Sequence, residues 1–189
     1  MIDAANITDY NLSDEELEGR IIFWILAAGK NGTRAAEITN KLIGFWKSID
    51  NNITPFQALQ HYDSFDMAEL LKYYKTGCHN HKAKTLRQLV WANLDLRSCS
   101  AEDLEKIYGI GMKTARCFII HSRPDAQYAG LDTHMLKHLA SLGYDVPKNT
   151  PNSKKLYLTL EKIVLKLSEE KGISPAAYDL QVWNKYKVG

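Results

Sequence analysis

The 189-residue sequence predicts an all-α protein. Apolar residues recur at helical spacing along most of the chain, and helix-start signals stand before those runs. No convincing pair of strand-like runs and no internal repeat of fixed period interrupts them. Ser13-Asp14-Glu15-Glu16 opens the first helix, its acidic first turn complementing the helix dipole. That helix carries Leu17, Ile21, Trp24, Ile25 and Ala28 on one apolar stripe and is punctuated by Gly29 and Gly32. A second helix follows through Ala36 to Trp46. Pro55 at the first position after Thr54 starts a short third, and Asp66 to Tyr74 makes a fourth that Gly77 stops. Lys82 to Leu94 is the fifth, with Ala83, Leu86, Leu89 and Val90 as its buried face.

Two short helices come next, Ala101 to Ile107 and Met112 to His121, joined by Tyr108-Gly109-Ile110-Gly111. Pro124 marks a loop, and a lobe boundary is expected near Arg123 to Leu131. Asp132 is placed to N-cap a helix running to Leu142. After the linker from Pro147 to Pro151, a long helix spans Lys154 to Glu170, and Pro175 opens the last, reaching toward Lys187.

The composition narrows the class. An apolar fraction of 45% fits a globular chain and argues against disorder. No apolar run approaches the roughly 20 residues that cross a bilayer. Ile21 to Ala28, the most apolar stretch, is too short and too far inside for a signal peptide. The expected setting is soluble and intracellular. Cys78, Cys99 and Cys117 make an odd count, which suits reduced thiols better than a disulfide framework. The net charge of +2 permits nucleic-acid binding through a local basic surface without demanding it.

The most specific signal is Leu104-x-x-Ile107-x-Gly109-Ile110-Gly111-x-x-x-Ala115. Leu104, Ile107 and Ile110 pack two short helices together, and Ala115 allows close approach. The glycines let the backbone turn sharply and come near a ligand. Amides at the start of the following helix favour an anion such as a DNA phosphate. An ordinary αα-corner with a glycine C-cap is the competing reading of the same residues. Lysine in a first helical turn is commonly a solvated residue, and an aspartate before a helix commonly just a cap.

Lys113 lies in the first turn of the second hairpin helix, and Asp132 follows 19 positions later in Leu131-Asp132-Thr133-His134. Gly-Ile-Gly-Met-Lys113-Thr-Ala followed by Leu-Asp132-Thr-His resembles the helix–hairpin–helix DNA glycosylase superfamily, which includes endonuclease III. The resemblance covers most of the chain. Thr54-Pro55-Phe56-Gln57-Ala58-Leu59, Lys75-Thr76-Gly77 and Lys82-Ala83-Lys84-Thr85-Leu86 are similar to segments that precede the hairpin there.

The resemblance implies two helical lobes flanking a DNA-binding cleft. Residues 20–126 form a helical barrel with the hairpin motif at 101–122, and residues 1–19 and 127–189 form the second lobe. It implies that Lys113 attacks the sugar C1′ of a flipped nucleotide and forms a Schiff base, with AP lyase cleavage following. Asp132 would stabilise the charge developing on the sugar and shuttle the proton. An unperturbed lysine amine is protonated at neutral pH, so burial or a nearby cation must help free it, and Arg116 is a candidate for that cation. Gly109, Gly111, Thr114, Arg116 and His134 are assigned to the DNA backbone. Lys30, Asn31 and Arg34, in and after the Gly29–Gly32 turn, are assigned to the gap left by the flipped base, to its orphaned partner, or to the backbone. A glycine-rich turn with a solvated lysine is the plain alternative.

The iron–sulfur relatives carry a C-terminal four-cysteine cluster, whereas this sequence has no cysteine after Cys117, so no such cluster is expected. The ending Pro175-x-x-Tyr178-Asp179-Leu180-x-x-Trp183, with Lys185 and Lys187 behind it, is more similar to the compact, cluster-free 8-oxoguanine glycosylases. Trp183 and Asp179 are therefore the candidates for the base pocket. Phe23 and Trp24 could be wall residues but fit a core better. Cys78-His79-Asn80-His81 lacks a second ligand pair, so no metal is expected. The partner implied is double-stranded DNA containing a damaged base, met by a monomer. Excision of an oxidised base, 8-oxoguanine first, leads the readings. Oxidised pyrimidines or mismatches, and a non-catalytic hairpin DNA-binding module, are the alternatives.

Overall fold

A computed structural model describes residues 1–187. It is all-α, with no strand among the described residues. The helices are α1 (Asp14–Ala27), α2 (Gly32–Ile49), α3 (Pro55–Gln60), α4 (Ser64–Tyr73) and α5 (His79–Ala92). They continue as α6 (Ala101–Glu105), α7 (Met112–Ser122), α8 (Thr133–Ser141), α9 (Lys154–Glu170) and α10 (Pro175–Tyr186). A short 3-10 turn at Ala4–Asn6 precedes them and was not expected from the sequence. Among the described residues, no helix is long and apolar enough to cross a membrane.

Local chemistry sets the boundaries. Reciprocal capping boxes start α1 (Ser13 with Glu16), α3 (Thr54 with Gln57) and α6 (Ser100 with Asp103). Asn31 caps α2 and Asp63 caps α4, so these helices begin a few residues before the apolar periodicity becomes visible. The fifth helix likewise starts at His79 instead of Lys82, after Cys78 in a left-handed conformation, and ends at Ala92.

Helix α1 organises the larger core. Ile21 to Ala27 are all buried, and the helix packs against α2, α3, α5 and α7. This second half of α1, buried on every side, draws its stability from packing, each large side chain contributing about 1.5–3 kcal/mol on transfer from water. The larger core runs from Ile2 to Ile119, and a second gathers Ala129, Leu131, Met135, Leu136 and residues of α9 and α10. Of the N-terminal segment, Ile2, Ala4, Ile7, Leu12 and Leu17 are buried in the larger core, on which Leu180 and Trp183 of α10 also pack. The segment's 3-10 turn touches both α2 and α10.

Candidate active site

Lys113 owes its position to the hairpin. Gly109 has φ +85°, and a Cβ there would lie 2.1 Å from Thr85 Oγ1 and 2.9 Å from His81 Nε2, so only glycine fits. Gly111 has an ordinary extended φ of −96° and open space where a Cβ would point. It N-caps α7 without a side chain, which leaves the first-turn amides for solvent or an anion. Lys113, the second residue of α7, extends its ammonium over the Trp24 ring at 5.1 Å from the centroid.

Asp132 is set from the opposite side. Leu131 N–H donates to Tyr157 Oη at 3.1 Å, and Thr150 Oγ1 donates to the Leu131 carbonyl at 2.7 Å. The next residue, Asp132, N-caps α8 through Oδ1, which accepts from Met135 N–H at 2.8 Å. Burial pushes its carboxyl above the ordinary aspartate range, and the negative charge of Asp179 adds to the shift. Lys113, the Met135 N–H and His134 work against it.

Between these two groups lies a cavity of about 620 Å³. Lys113 and Asp132 both line it, although 19 positions separate them in sequence. Phe23, Trp24 and Trp183 supply aromatic wall, so the apolar core of α1 doubles as cavity lining. Asp179 opens into the same space, and Lys187 stands at it with Nζ 5.0 Å from the Trp183 ring centroid. An apolar chamber holding an amine, two carboxylates and aromatic faces can enclose a planar heterocycle beside a sugar.

Most residues singled out from the sequence converge here. Lys30, Asn31, Lys113, Asp132, His134, Asp179 and Trp183 all line the cavity. The buried Nδ1 of His134 has no hydrogen-bond partner among the described residues. Asn31 also caps α2, accepting from Arg34 N–H at 3.3 Å. Arg34 lies outside the lining and pairs with Glu37 at 2.7 Å. Gly111 and Thr114 face an adjoining groove of about 350 Å³ that also touches Lys113, and Gly109 sits behind it in the hairpin turn. Thr114 is 6% exposed, so its amide, more than its hydroxyl, is what the hairpin surface offers.

Arg116 requires a correction. Its side chain is 1% exposed and held by Glu105 and Glu161, with Nε donating to Glu161 Oε1 at 2.8 Å. It is neither a DNA contact nor a free cation for Lys113, because its charge is spent on two carboxylates inside the protein. Sequence reading also passed over Cys117 and His121. Cys117 lines the cavity one turn after Lys113, a spacing that could have flagged it. Burial pushes its thiol well above the ordinary range. Among the described residues, no three His, Cys, Asp or Glu side chains gather to hold a metal ion.

No family model matches the chain. A 77-residue segment, 40% of this chain, is 39% identical to the 8-oxoguanine DNA glycosylase/AP lyase of Thermotoga sp. (strain RQ2) and spans 36% of that relative. The fold superimposes on the 8-oxoguanine DNA glycosylase of Thermotoga maritima with a TM-score of 0.73 at 23% identity, covering 93% of this chain and 81% of that one. It superimposes on the Methanocaldococcus jannaschii 8-oxoguanine glycosylase/lyase, solved with a 15mer DNA containing 8-oxoguanine, with a TM-score of 0.70 at 22% identity. That match covers 93% of this chain and 83% of that one. This chain therefore has the fold of these solved 8-oxoguanine DNA glycosylases.

Proposed function

We propose that this chain is a DNA glycosylase with AP lyase activity that flips out and excises an oxidised base, 8-oxoguanine foremost, from double-stranded DNA. The observation that carries the reading is the convergence of Lys113 and Asp132 on one cavity large enough for an extruded base. In the first step the Lys113 amine, as free base, attacks the sugar C1′. The glycosidic bond breaks, and its electron pair leaves with the base, which takes up a proton. The Asp132 carboxylate stabilises the positive charge developing on the sugar and then accepts a proton from the attached nitrogen. Ring opening gives the Schiff base, and loss of a proton from C2′ expels the 3′ phosphate. Water then releases Lys113.

Other residues hold the DNA in this reading. The first-turn amides of α7 receive a backbone phosphate beside the reacting sugar. Lys30 and Asn31, exposed at the cavity mouth, face the space a flipped base vacates. Trp183 stacks on the extruded ring. Both reacting groups come from one chain, so the chemistry needs no second subunit. It also uses no iron–sulfur cluster, and the place of action is with the DNA inside the cell.

Borohydride trapping on a duplex with a single 8-oxoguanine tests the reading. A covalent protein–DNA adduct is expected from the wild type and none from Lys113→Ala. Unchanged DNA binding with no adduct from the wild type would make the protein a hairpin binding module. Duplexes carrying oxidised pyrimidines or mismatches, run alongside, rank the substrate.

A further inference from the structure

His121, in the last turn of α7, stands behind the cavity wall, against the lining residues Trp24 and Asp179. It is 2% exposed, and both ring nitrogens are engaged. Nε2 lies 3.2 Å from Asp179 Oδ2 on α10, and Nδ1 lies 2.7 Å from Thr8 Oγ1 of the N-terminal segment. One face of the ring stacks on Trp24, with centroids 5.4 Å apart and planes at 12°. Its carbonyl accepts from Asp9 N–H at 3.0 Å. Three separate pieces of chain therefore meet at this imidazole.

The partners dictate the proton positions. A carboxylate only accepts, so Nε2 carries the hydrogen toward Asp179, and the Thr8 hydroxyl pairs with Nδ1. The bond occupies one oxygen of Asp179 and fixes the rotation of its carboxylate. The other oxygen, Oδ1, lies 3.5 Å from the position a Cβ on Gly130 would take. That is an ordinary contact distance; what keeps residue 130 a glycine is the Cys117 thiol, on which a Cβ would intrude.

We infer that His121 is a positioning residue that holds Asp179 as a fixed hydrogen-bond acceptor in the cavity, so that the site selects bases offering N–H donors on the edge facing it. This deepens the reading of the cavity as a base pocket and rests on it. A base presenting a lone pair at that edge would leave the carboxylate facing another acceptor, a mismatch that buried sites penalise strongly. His121 reaches no sugar or reacting bond, so it acts through Asp179 alone.

The test pairs two substitutions with two substrates. His121→Phe keeps a flat ring against Trp24 but cannot donate to Asp179. His121→Gln gives up the ring but places an amide N–H at the reach of Nε2. Single-turnover base release is measured on an 8-oxoguanine duplex, and strand cleavage on a duplex with a preformed abasic site, which has no base to read. Base release is expected to fall about tenfold or more in His121→Phe and to recover most of that in His121→Gln. Abasic cleavage should stay near wild type in both. His121→Phe added to Asp179→Asn should cost little beyond Asp179→Asn alone. The inference is overturned if His121→Gln is as impaired as His121→Phe, if His121→Phe releases the base normally, or if abasic cleavage falls in parallel. A wild type inert on both duplexes removes the catalytic reading, and this inference with it.

Discussion

A buried carboxylate that a reaction needs in its charged form is a cost to the fold, and in the proposed reaction Asp132 would carry both sides of that tension. Its carboxyl is held above the ordinary aspartate value of 3.8, with burial the largest cause and Asp179 the next. The folded state therefore binds its proton more tightly than the unfolded chain does. The favourable contribution is complete below about 3.8 and is lost as pH rises through the raised value. Asp132→Asn removes the buried charge and keeps the helix cap, since asparagine caps as well as aspartate. It should melt higher than the wild type at neutral pH, with the gap closing in acid. Base release should drop by about 10²–10⁴-fold. In the wild type, base release should fall in acid through a limb lying above the ordinary aspartate range. A limb at the ordinary value would mean that Asp132 is only a cap.

Among the elements, the hairpin separates structural from functional glycine. Gly109 is required by the fold, because its φ of +85° and the Thr85 hydroxyl 2.1 Å from a would-be Cβ leave no room for alanine. Gly109→Ala should cost about 2–4 kcal/mol in denaturant unfolding. Gly111 meets nothing within 4 Å. Gly111→Ala should change stability by no more than about 0.5 kcal/mol while weakening DNA binding several-fold in a gel-shift titration. The reverse pattern would place the close approach at Gly109. The helices themselves were largely legible: Ser13, Thr54 and Asp132 mark starts in the sequence and cap α1, α3 and α8, while the structure adds Ser100 and Ser174 as caps of α6 and α10. At α2 and α4 the starts slipped because the caps Asn31 and Asp63 stood ahead of the apolar pattern, and α5 likewise began early, at His79 after the left-handed Cys78.

Across the whole molecule, the two cores are joined by charge as well as by packing. Arg116 on α7 ties Glu105 of α6 to Glu161 of α9, and its guanidinium lies over the Tyr157 ring at 5.0 Å. Arg116→Ala leaves two carboxylates without their cation and should destabilise the protein by about 3–5 kcal/mol. Lys30, exposed at the cavity mouth, should behave oppositely. Lys30→Ala should leave the melting temperature alone and lower the salt slope of DNA binding by about one. A change in stability for Lys30→Ala with no change in slope would remove it from the DNA face.

The sequence by itself determined the all-helical class, most helix starts, and the amine and carboxylate with their spacing. Periodicity, caps and motifs are carried by residues close together in the chain. It could not show that Arg116 is buried between Glu105 and Glu161, or that Trp24 serves as both core and cavity wall. Nor could it show that His121 meets Thr8 and Asp179 from positions 113 and 58 residues away. Those facts depend on which helix faces pack together, and burial alone turns a surface-type arginine into a strut and a core histidine into part of a site.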